Sequence, residues 1–196
     1  MLTRFIGAAL AVFFVSSQAF AAPLEEVKKT VDEVVRIVSD KEMKKNDPKR
    51  RQALKRSIST IFDYSEMARR SLGKHWNDRT PAEKKQFAEL FASLLENSYA
   101  SKIESYNNEK IIYLKENLDG DHAEVKSKVL TAKRDEFTLD YRLVNQNGKW
   151  LAYDVVIEGV SLVSNYRTQF NKIITANGYP ELVKKLQNKT EEIKAP

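Results

Sequence analysis

The apolar positions of this chain change period twice, from helical to alternating and back to helical. In the first part they recur three, four and seven positions apart, which indicates amphipathic helices. A stripe of valines predicts a helix over residues 25–39. Asp47 as N-cap and Pro48 at the first helical position then predict a second helix, whose apolar positions run from Leu54 to Phe62. The N-terminal part is therefore predicted to be helical.

The best-marked helix begins at a capping-box sequence. Thr80 is the predicted N-cap, Pro81 follows it, and Glu83 stands three positions after the threonine. A wide apolar stripe then continues to Tyr106, about seven turns of helix. This segment is predicted to be the longest helix of the chain.

From residue 110 the apolar positions alternate, which predicts strands that bury one face. The predicted strands are 111–116, 123–131, 137–144 and 150–157. Asn147-Gly148 between two alternating runs is a strong hairpin signal. The helical period returns after Gly159, and Pro180 opens a last helix. This order predicts an α+β fold, a curved four-stranded antiparallel meander packed on one face by several helices.

The N-terminus has the pattern of a secretory signal peptide. Arg4 precedes a short, mostly apolar run over residues 5–15, and Ala19-Phe20-Ala21 is a small-x-small cleavage sequence. Cleavage is predicted after Ala21, which leaves residues 22–196 as one exported domain. An uncleaved membrane anchor is the alternative, although the run is short for a membrane span. No cysteine follows the cleavage point, so a lipid-anchored lipoprotein is not expected.

Composition adds little chemistry. The chain has a formal charge of +6, no cysteine and two histidines, and it carries no metal-ligand spacing or phosphate-binding glycine loop. No metal or cofactor is therefore predicted, and export makes nucleic acid an improbable partner. Asp154 and Glu158 could act in acid–base chemistry if buried, but a structural role is favoured.

Basic residues are concentrated between residues 44 and 56, either as a solvated helix face or as a docking surface. They are Lys44, Lys45, Lys49, Arg50, Arg51, Lys55 and Arg56.

Several motifs resemble one known family. They comprise Phe62-Asp63, Met67-Ala68-Arg69-Arg70-Ser71-Leu72-Gly73, Trp76, Thr80-Pro81-x-Glu83, Phe87-x-x-x-Phe91 and Tyr153-Asp154-Val155-Val156-Ile157-Glu158-Gly159-Val160-Ser161-Leu162-Val163-Ser164-Asn165-Tyr166-Arg167-x-x-Phe170. The chain is similar in these segments to the MlaC family of toluene-tolerance periplasmic proteins, which carry phospholipid between the membranes of Gram-negative bacteria. The resemblance implies a cone-like wedge with an internal apolar cavity for acyl chains. It also implies a monomeric periplasmic carrier whose partners are an inner-membrane ABC transporter complex with a lipid-binding ring subunit and an outer-membrane lipoprotein–porin complex.

With that resemblance, the buried sheet face and the helices opposite become the candidate lipid contacts. They are Phe91, Leu94, Leu95, Tyr99, Val125, Val129, Leu139, Tyr141, Val155, Ile157, Leu162, Tyr166, Phe170 and Ile173. The alternative for each is plain core, because periodicity cannot distinguish a filled interior from a hollow one. Asp154 and Arg167 are predicted to form an ion pair at the strand–helix corner, in preference to binding a head group.

Other functions stay open at this point. The cargo could be another lipid, such as a hopanoid or isoprenoid. An isomerase-type enzyme on a cone-shaped fold would require Asp154 or Glu158 to face an apolar pocket with a raised pKa. An adaptor with a filled core would have no cavity.

Overall fold

A computed structural model describes residues 22–106 and 108–194. The predicted signal peptide, residues 1–21, lies outside the described residues. Before the sheet come α1 (Pro23–Ser39), α2 (Lys41–Lys44), α3 (Asp47–Ile58), α4 (Tyr64–Leu72), a 3₁₀ helix (Gly73–Trp76) and α5 (Pro81–Glu104). After the sheet come α6 (Leu162–Asn177) and α7 (Tyr179–Lys194).

The strands follow one another across a single antiparallel sheet. They are β1 (Lys110–Asp119), β2 (His122–Leu130), β3 (Glu136–Gln146), β4 (Lys149–Ile157) and β5 (Val160–Ser161). The predicted fold class and meander are confirmed, but the sheet has five strands rather than four. The fifth arises because the chain turns back after β4, so that Val160 and Ser161 pair with its last two residues.

The second predicted helix begins and ends earlier than its apolar pattern indicates. Asn46, and not Asp47, is the N-cap, since its Oδ1 accepts a hydrogen bond from the Lys49 N–H at 3.1 Å. Phe62 lies beyond the helix and forms a bridge with Ala152 of β4. This bridge draws the chain to the sheet before α4, a helix that the periodicity did not identify.

The predicted capping box of α5 is confirmed. Thr80 Oγ1 accepts from the Glu83 N–H at 3.2 Å, and Glu83 Oε2 accepts from the Thr80 N–H at 2.8 Å. These reciprocal bonds satisfy two backbone donors that would otherwise lack partners at the start of the helix.

Replacing Thr80 with alanine is expected to destabilise the fold by about 1 kcal/mol, because one N-terminal donor loses its acceptor. The melting temperature should fall by about 2–4 °C for a chain of this size. Thr168→Ala, at an exposed position within α6, is the control and should change stability by less than about 0.5 kcal/mol. Equal melting temperatures for the two variants would contradict the capping role.

Two bulges change which side chains share a face of the sheet. Leu114 is the extra residue in β1, and Tyr153 is the extra residue in β4. A bulge adds one residue to a strand, so the alternation shifts after it. As a result, Tyr113 lies opposite Ser127, and Glu116 follows on the same face, where its carboxylate accepts from the first turn of α1.

The buried apolar residues of the described chain form two clusters. The main cluster lies between the sheet and α4, α5, α6 and α7. The second lies between α3 and the C-terminal parts of α1 and α5, around Ile37, Val38 and Leu54. Helix α1 contributes to both, through Val27 and Val31 in one and Val34 in the other.

Candidate functional site

The inner face of the sheet, which faces the helices, is covered unevenly along the strands. At the end near the β1–β2 and β3–β4 turns, Leu143 and Ala152 are paired neighbours that are both 0 % exposed. At the opposite end the paired neighbours Leu139 and Ile157 are only partly buried. Across β3 and β4 the helices therefore bury the inner face at the turn end and leave it partly exposed at the other end. At the edge strand β1, Leu118 is 61 % exposed although it pairs with the buried Ala123 near the β1–β2 turn.

An aromatic cluster lies between α5 and α6 within the main apolar cluster. Phe91 of α5 lies 5.5 Å from Phe170 and 5.2 Å from Tyr166 of α6 between ring centroids, both edge-on. Phe87 adds an edge contact to Phe170 at 5.7 Å. Both phenylalanines of α5 are 0 % exposed. Edge-to-face pairs of this kind add to the stabilisation from burial. The interior between α5 and α6 is therefore tightly packed.

Further along α5 the burial decreases, as it does along the sheet. Leu94 and Leu95 are buried, whereas Tyr99 one turn later is partly exposed. On the sheet, the incompletely covered end comprises Tyr113 of β1, Leu139 and Ile157. Tyr113 pairs with Ser127, the Ser127 hydroxyl donates to the Leu139 carbonyl oxygen, and Leu139 pairs with Ile157. We call this region the open end of the inner face.

The structure brings nearly all of the predicted lipid contacts together. Every one of them except Val129 belongs to the main apolar cluster. Val129 is buried but contacts neither cluster. Tyr99, Leu139, Ile157, Ile173 and Tyr166, a ring of the aromatic cluster, keep partial exposure, while the other predicted contacts are buried. Contact of these residues with a ligand stays a prediction.

The tyrosines of this interior are held in the neutral form. Burial is the main cause that raises the pKa of Tyr141, of Tyr99 and of Tyr166. Burial, with smaller contributions from Asp32 and Glu25, also raises the pKa of Tyr113, to about 12. At neutral pH these side chains therefore present hydroxyl groups, and no phenolate charge, to the apolar interior.

The predicted ion pair between Asp154 and Arg167 is wrong. Asp154 is 3 % exposed and pairs with Arg142 of the adjacent strand, with Oδ2 3.3 Å from Nη1. Its other contacts are the Ser161 hydroxyl at 2.6 Å and the Val163 N–H at 3.0 Å. The register of β3 and β4 places Arg142 opposite Asp154, so this carboxylate already has its cation. Asp154 nevertheless joins β4 to the start of α6.

Arg167 contacts a different element. Its Nε donates to the Arg70 carbonyl oxygen at the end of α4, at 3.0 Å. Its stem lies 3.4 Å from the position that a Cβ on Gly73 would occupy, and Gly73 has a positive φ of 56°. Glycine is favoured there by its backbone conformation. Two motifs far apart in sequence, Arg70-Ser71-Leu72-Gly73 and Asn165-Tyr166-Arg167, therefore meet where α4 ends.

The remaining candidate groups have ordinary polar partners. Glu158 is exposed and accepts from the Thr138 N–H. His75 Nε2 lies 2.9 Å from Asn171 Oδ1, and His122 Nδ1 lies 2.6 Å from Asp121 Oδ1. In the part of the chain that the structure describes, no three histidine, aspartate or glutamate side chains cluster closely enough to hold a metal ion.

Four of the seven basic residues between 44 and 56 pair with nearby carboxylates. Lys55 pairs with Glu96 at 2.9 Å, and Arg51 pairs with Glu104 at 3.0 Å, both across to α5. Arg50 approaches the same glutamate at 3.8 Å, while Lys45 pairs with Glu42 of α2. These contacts attach α3 to α5 and favour the reading of a solvated helix face.

Sequence reasoning did not include α1 or Tyr113 among the site residues. The valine stripe of α1 indicated an apolar face, but not which layer it covers. Tyr113 precedes the Leu114 bulge and shares the face of Ile111, so alternation within β1 was the signal that could have placed it. For α1, the i, i+4 spacing of Val27 and Val31 was the available signal.

Between residues 22 and 194, residue 107 aside, no helix is both long and apolar enough to cross a bilayer. The solved structure of the phospholipid-binding protein from Ralstonia solanacearum, in complex with a phospholipid, superposes with a TM-score of 0.80. That likeness covers 89 % of this chain and 100 % of the other, at 26 % sequence identity. The fold is therefore similar over nearly the whole described region.

Two relatives share sequence with the chain. The toluene tolerance protein ttg2D of Pseudomonas putida is 27 % identical over 86 % of this chain and 80 % of its own length. The intermembrane phospholipid transport system binding protein MlaC of Haemophilus influenzae is 25 % identical over 62 % of this chain. That second match spans 59 % of the Haemophilus protein. The MlaC protein family model matches residues 28–188, so this chain belongs to the MlaC family.

Proposed function

We propose that this protein is a periplasmic phospholipid carrier that holds acyl chains against the open end of the inner face. The observation that carries the proposal is the partial exposure of Leu139 and Ile157, two paired apolar residues on the inner face that pack against the main apolar cluster. Apolar side chains on an inner face are normally covered completely in a filled core. The intermembrane transport system named for one relative and the phospholipid bound by another support the same cargo.

The energetics require a carrier with such a face. Burial of one methylene is worth about 0.8 kcal/mol, so two acyl chains with roughly 30 methylenes avoid about 24 kcal/mol of hydration. To take up a lipid, a carrier must bury the acyl chains about as favourably as the bilayer does. If the carrier bound the lipid much more tightly than the bilayer, it would not release it. Aliphatic and tyrosine side chains with neutral hydroxyls meet both conditions. Exchange with the inner-membrane ABC transporter complex and the outer-membrane lipoprotein–porin complex completes the proposed cycle.

The polar groups do not support the isomerase alternative. Asp154 is paired with Arg142 and caps α6, and Glu158 is exposed. An acid–base role would require a carboxylate directed into the apolar interior. We therefore propose a binding function without catalysis.

The test is organic extraction of the natively purified protein, followed by mass spectrometry. Stoichiometric phospholipid is expected in the wild type. Leu139→Trp should weaken lipid binding about tenfold, because an indole that displaces even two methylenes removes about 1.6 kcal/mol of burial. Clearly less than stoichiometric lipid is therefore expected from this variant. Leu139 suits this purpose because it is partly exposed on the inner face.

Val160→Trp is the matched control, since Val160 is 58 % exposed and lies in neither apolar cluster. It should retain its lipid. If hopanoid or isoprenoid is extracted instead of phospholipid, the proposed cargo is wrong. If the wild-type protein contains no lipid, the carrier function is rejected. Equal lipid content in the two tryptophan variants would reject the location of the site.

A further inference from the structure

One polar atom of the interior is buried without a hydrogen bond. The Tyr113 hydroxyl has no partner among the described residues, although the oxygen is inaccessible to solvent. Buried tyrosine hydroxyls nearly always find a partner, because an unsatisfied one forfeits its hydrogen bonds to water. Such an atom at the open end points to a ligand that supplies the acceptor.

Tyr113 lies where the apolar interior meets a charged surface. Its register partner Ser127 is on the inner face, and its ring packs against the main apolar cluster. On the other side, the ammonium of Lys28 of α1 lies 5.7 Å from the centroid of the ring. An amphipathic side chain at such a boundary contacts the part of a lipid that lies between its chains and its head group.

The charges near Tyr113 favour a neutral acceptor. Asp32 and Glu25 lie close enough to contribute to its raised pKa, so the hydroxyl keeps its proton and acts as a donor. Glu25 is paired with Lys28 at 3.1 Å, whereas Asp32 forms no ion pair within residues 22–106 and 108–194. An anionic phosphate oxygen would be repelled by the unpaired carboxylate, while a neutral ester carbonyl would not.

We infer that the Tyr113 hydroxyl donates a hydrogen bond to an acyl-ester carbonyl oxygen of the bound lipid. This inference rests on the proposed carrier function and adds a chemical preference to it. Ester-linked chains offer an acceptor at the junction of chain and glycerol, whereas ether-linked chains offer a much weaker one. The open end of the inner face would then select the linkage as well as the chains.

The test compares two probes that differ only at this junction. Delipidated mature protein is titrated in competition with a fluorescent phospholipid, using diester phosphatidylglycerol and the diether analogue with the same chains and head group. Wild type should bind the diester about 3- to 10-fold more tightly, the range expected for one net hydrogen bond. Tyr113→Phe should bind both probes equally, at the affinity of the wild type for the diether.

Tyr153→Phe is the matched control, because it removes a hydroxyl from a tyrosine that lies outside both apolar clusters, under the guanidinium of Arg70. It should keep the wild-type preference. A wild type without preference, or a Tyr113→Phe variant that retains it, overturns the inference while the carrier function stands. Failure of wild type to bind either probe rejects the carrier function itself.

The stability of the lipid-free protein gives an independent readout. Phenylalanine retains the ring of Tyr113 and removes the unpaired hydroxyl, so Tyr113→Phe should melt at the wild-type temperature or about 2–4 °C higher. A side chain that improves binding but not folding is typical of a functional position. A lower melting temperature would show that the hydroxyl has a partner within the protein and would overturn the inference.

Discussion

Replacing Asp154 with alanine is expected to destabilise the protein by about 2–4 kcal/mol, because buried donors lose their acceptor. The carboxylate is 3 % exposed and accepts from Arg142, Ser161 and Val163. Alanine would leave the Ser161 hydroxyl and the Val163 N–H without this acceptor at the junction of β4 and α6, whereas the Arg142 side chain, 41 % exposed and 4.0 Å from Glu124, keeps water and a second carboxylate. Equilibrium unfolding in urea measures the loss directly.

Asp154→Asn separates charge from hydrogen bonding at the same position. Its amide oxygen can still accept from the Val163 N–H, so we expect a loss about half that of alanine. Glu136→Ala is the surface control, because the Lys128–Glu136 pair is solvent-exposed and such pairs are worth less than about 1 kcal/mol. If Asp154→Ala were no more costly than Glu136→Ala, Asp154 would not brace this corner.

The second large effect is expected at Phe91. Truncation to alanine should cost about 3–5 kcal/mol, because it opens a cavity among tightly packed rings. The side chain is 0 % exposed and contacts Phe87, Tyr166 and Phe170. Urea unfolding should give a lower midpoint with an unchanged dependence on denaturant, as expected for a loss of stability alone.

Phe91→Leu is the matched variant, since it keeps an apolar side chain of intermediate volume. It should lose clearly less than Phe91→Ala, about 1–2 kcal/mol. A loss below 1 kcal/mol for the alanine variant would mean that the aromatic cluster is loosely packed. The interior between α5 and α6 would then not be tightly packed.

Local signals in the sequence sufficed for most of the secondary structure. The Thr80 capping box placed the start of α5 correctly, because capping depends on residues within one turn. Asn147 and Gly148 both have positive φ, as the predicted tight hairpin requires. Asn177-Gly178 likewise separates α6 from α7. Each of these features is determined by neighbours in the chain.

Features that depend on distant partners could not be predicted in the same way. The Tyr153 bulge decides which residue of β3 lies opposite Asp154, and therefore made Arg142 the partner instead of Arg167. Phe62 lies outside the helix that its apolar spacing predicted, because its backbone bridges to Ala152, a residue 90 positions later. Alternation and periodicity brought the candidate lipid contacts, except Val129, into one apolar cluster, whereas their contact with lipid stays a prediction. Their degree of coverage depends on how the helices lie over the sheet, which no local pattern encodes.

Because the inner face is covered unevenly, substitutions at its two ends should have different effects. Leu143 and Ala152, which are completely buried, lie at one end of the same strands that carry Leu139 and Ile157 at the other. Substitutions at the first end act mainly on the free energy of unfolding, whereas those at the second remove less burial. In a carrier of the proposed kind, substitutions at the second end would therefore alter the preference for lipid without compensating mutations elsewhere in the domain.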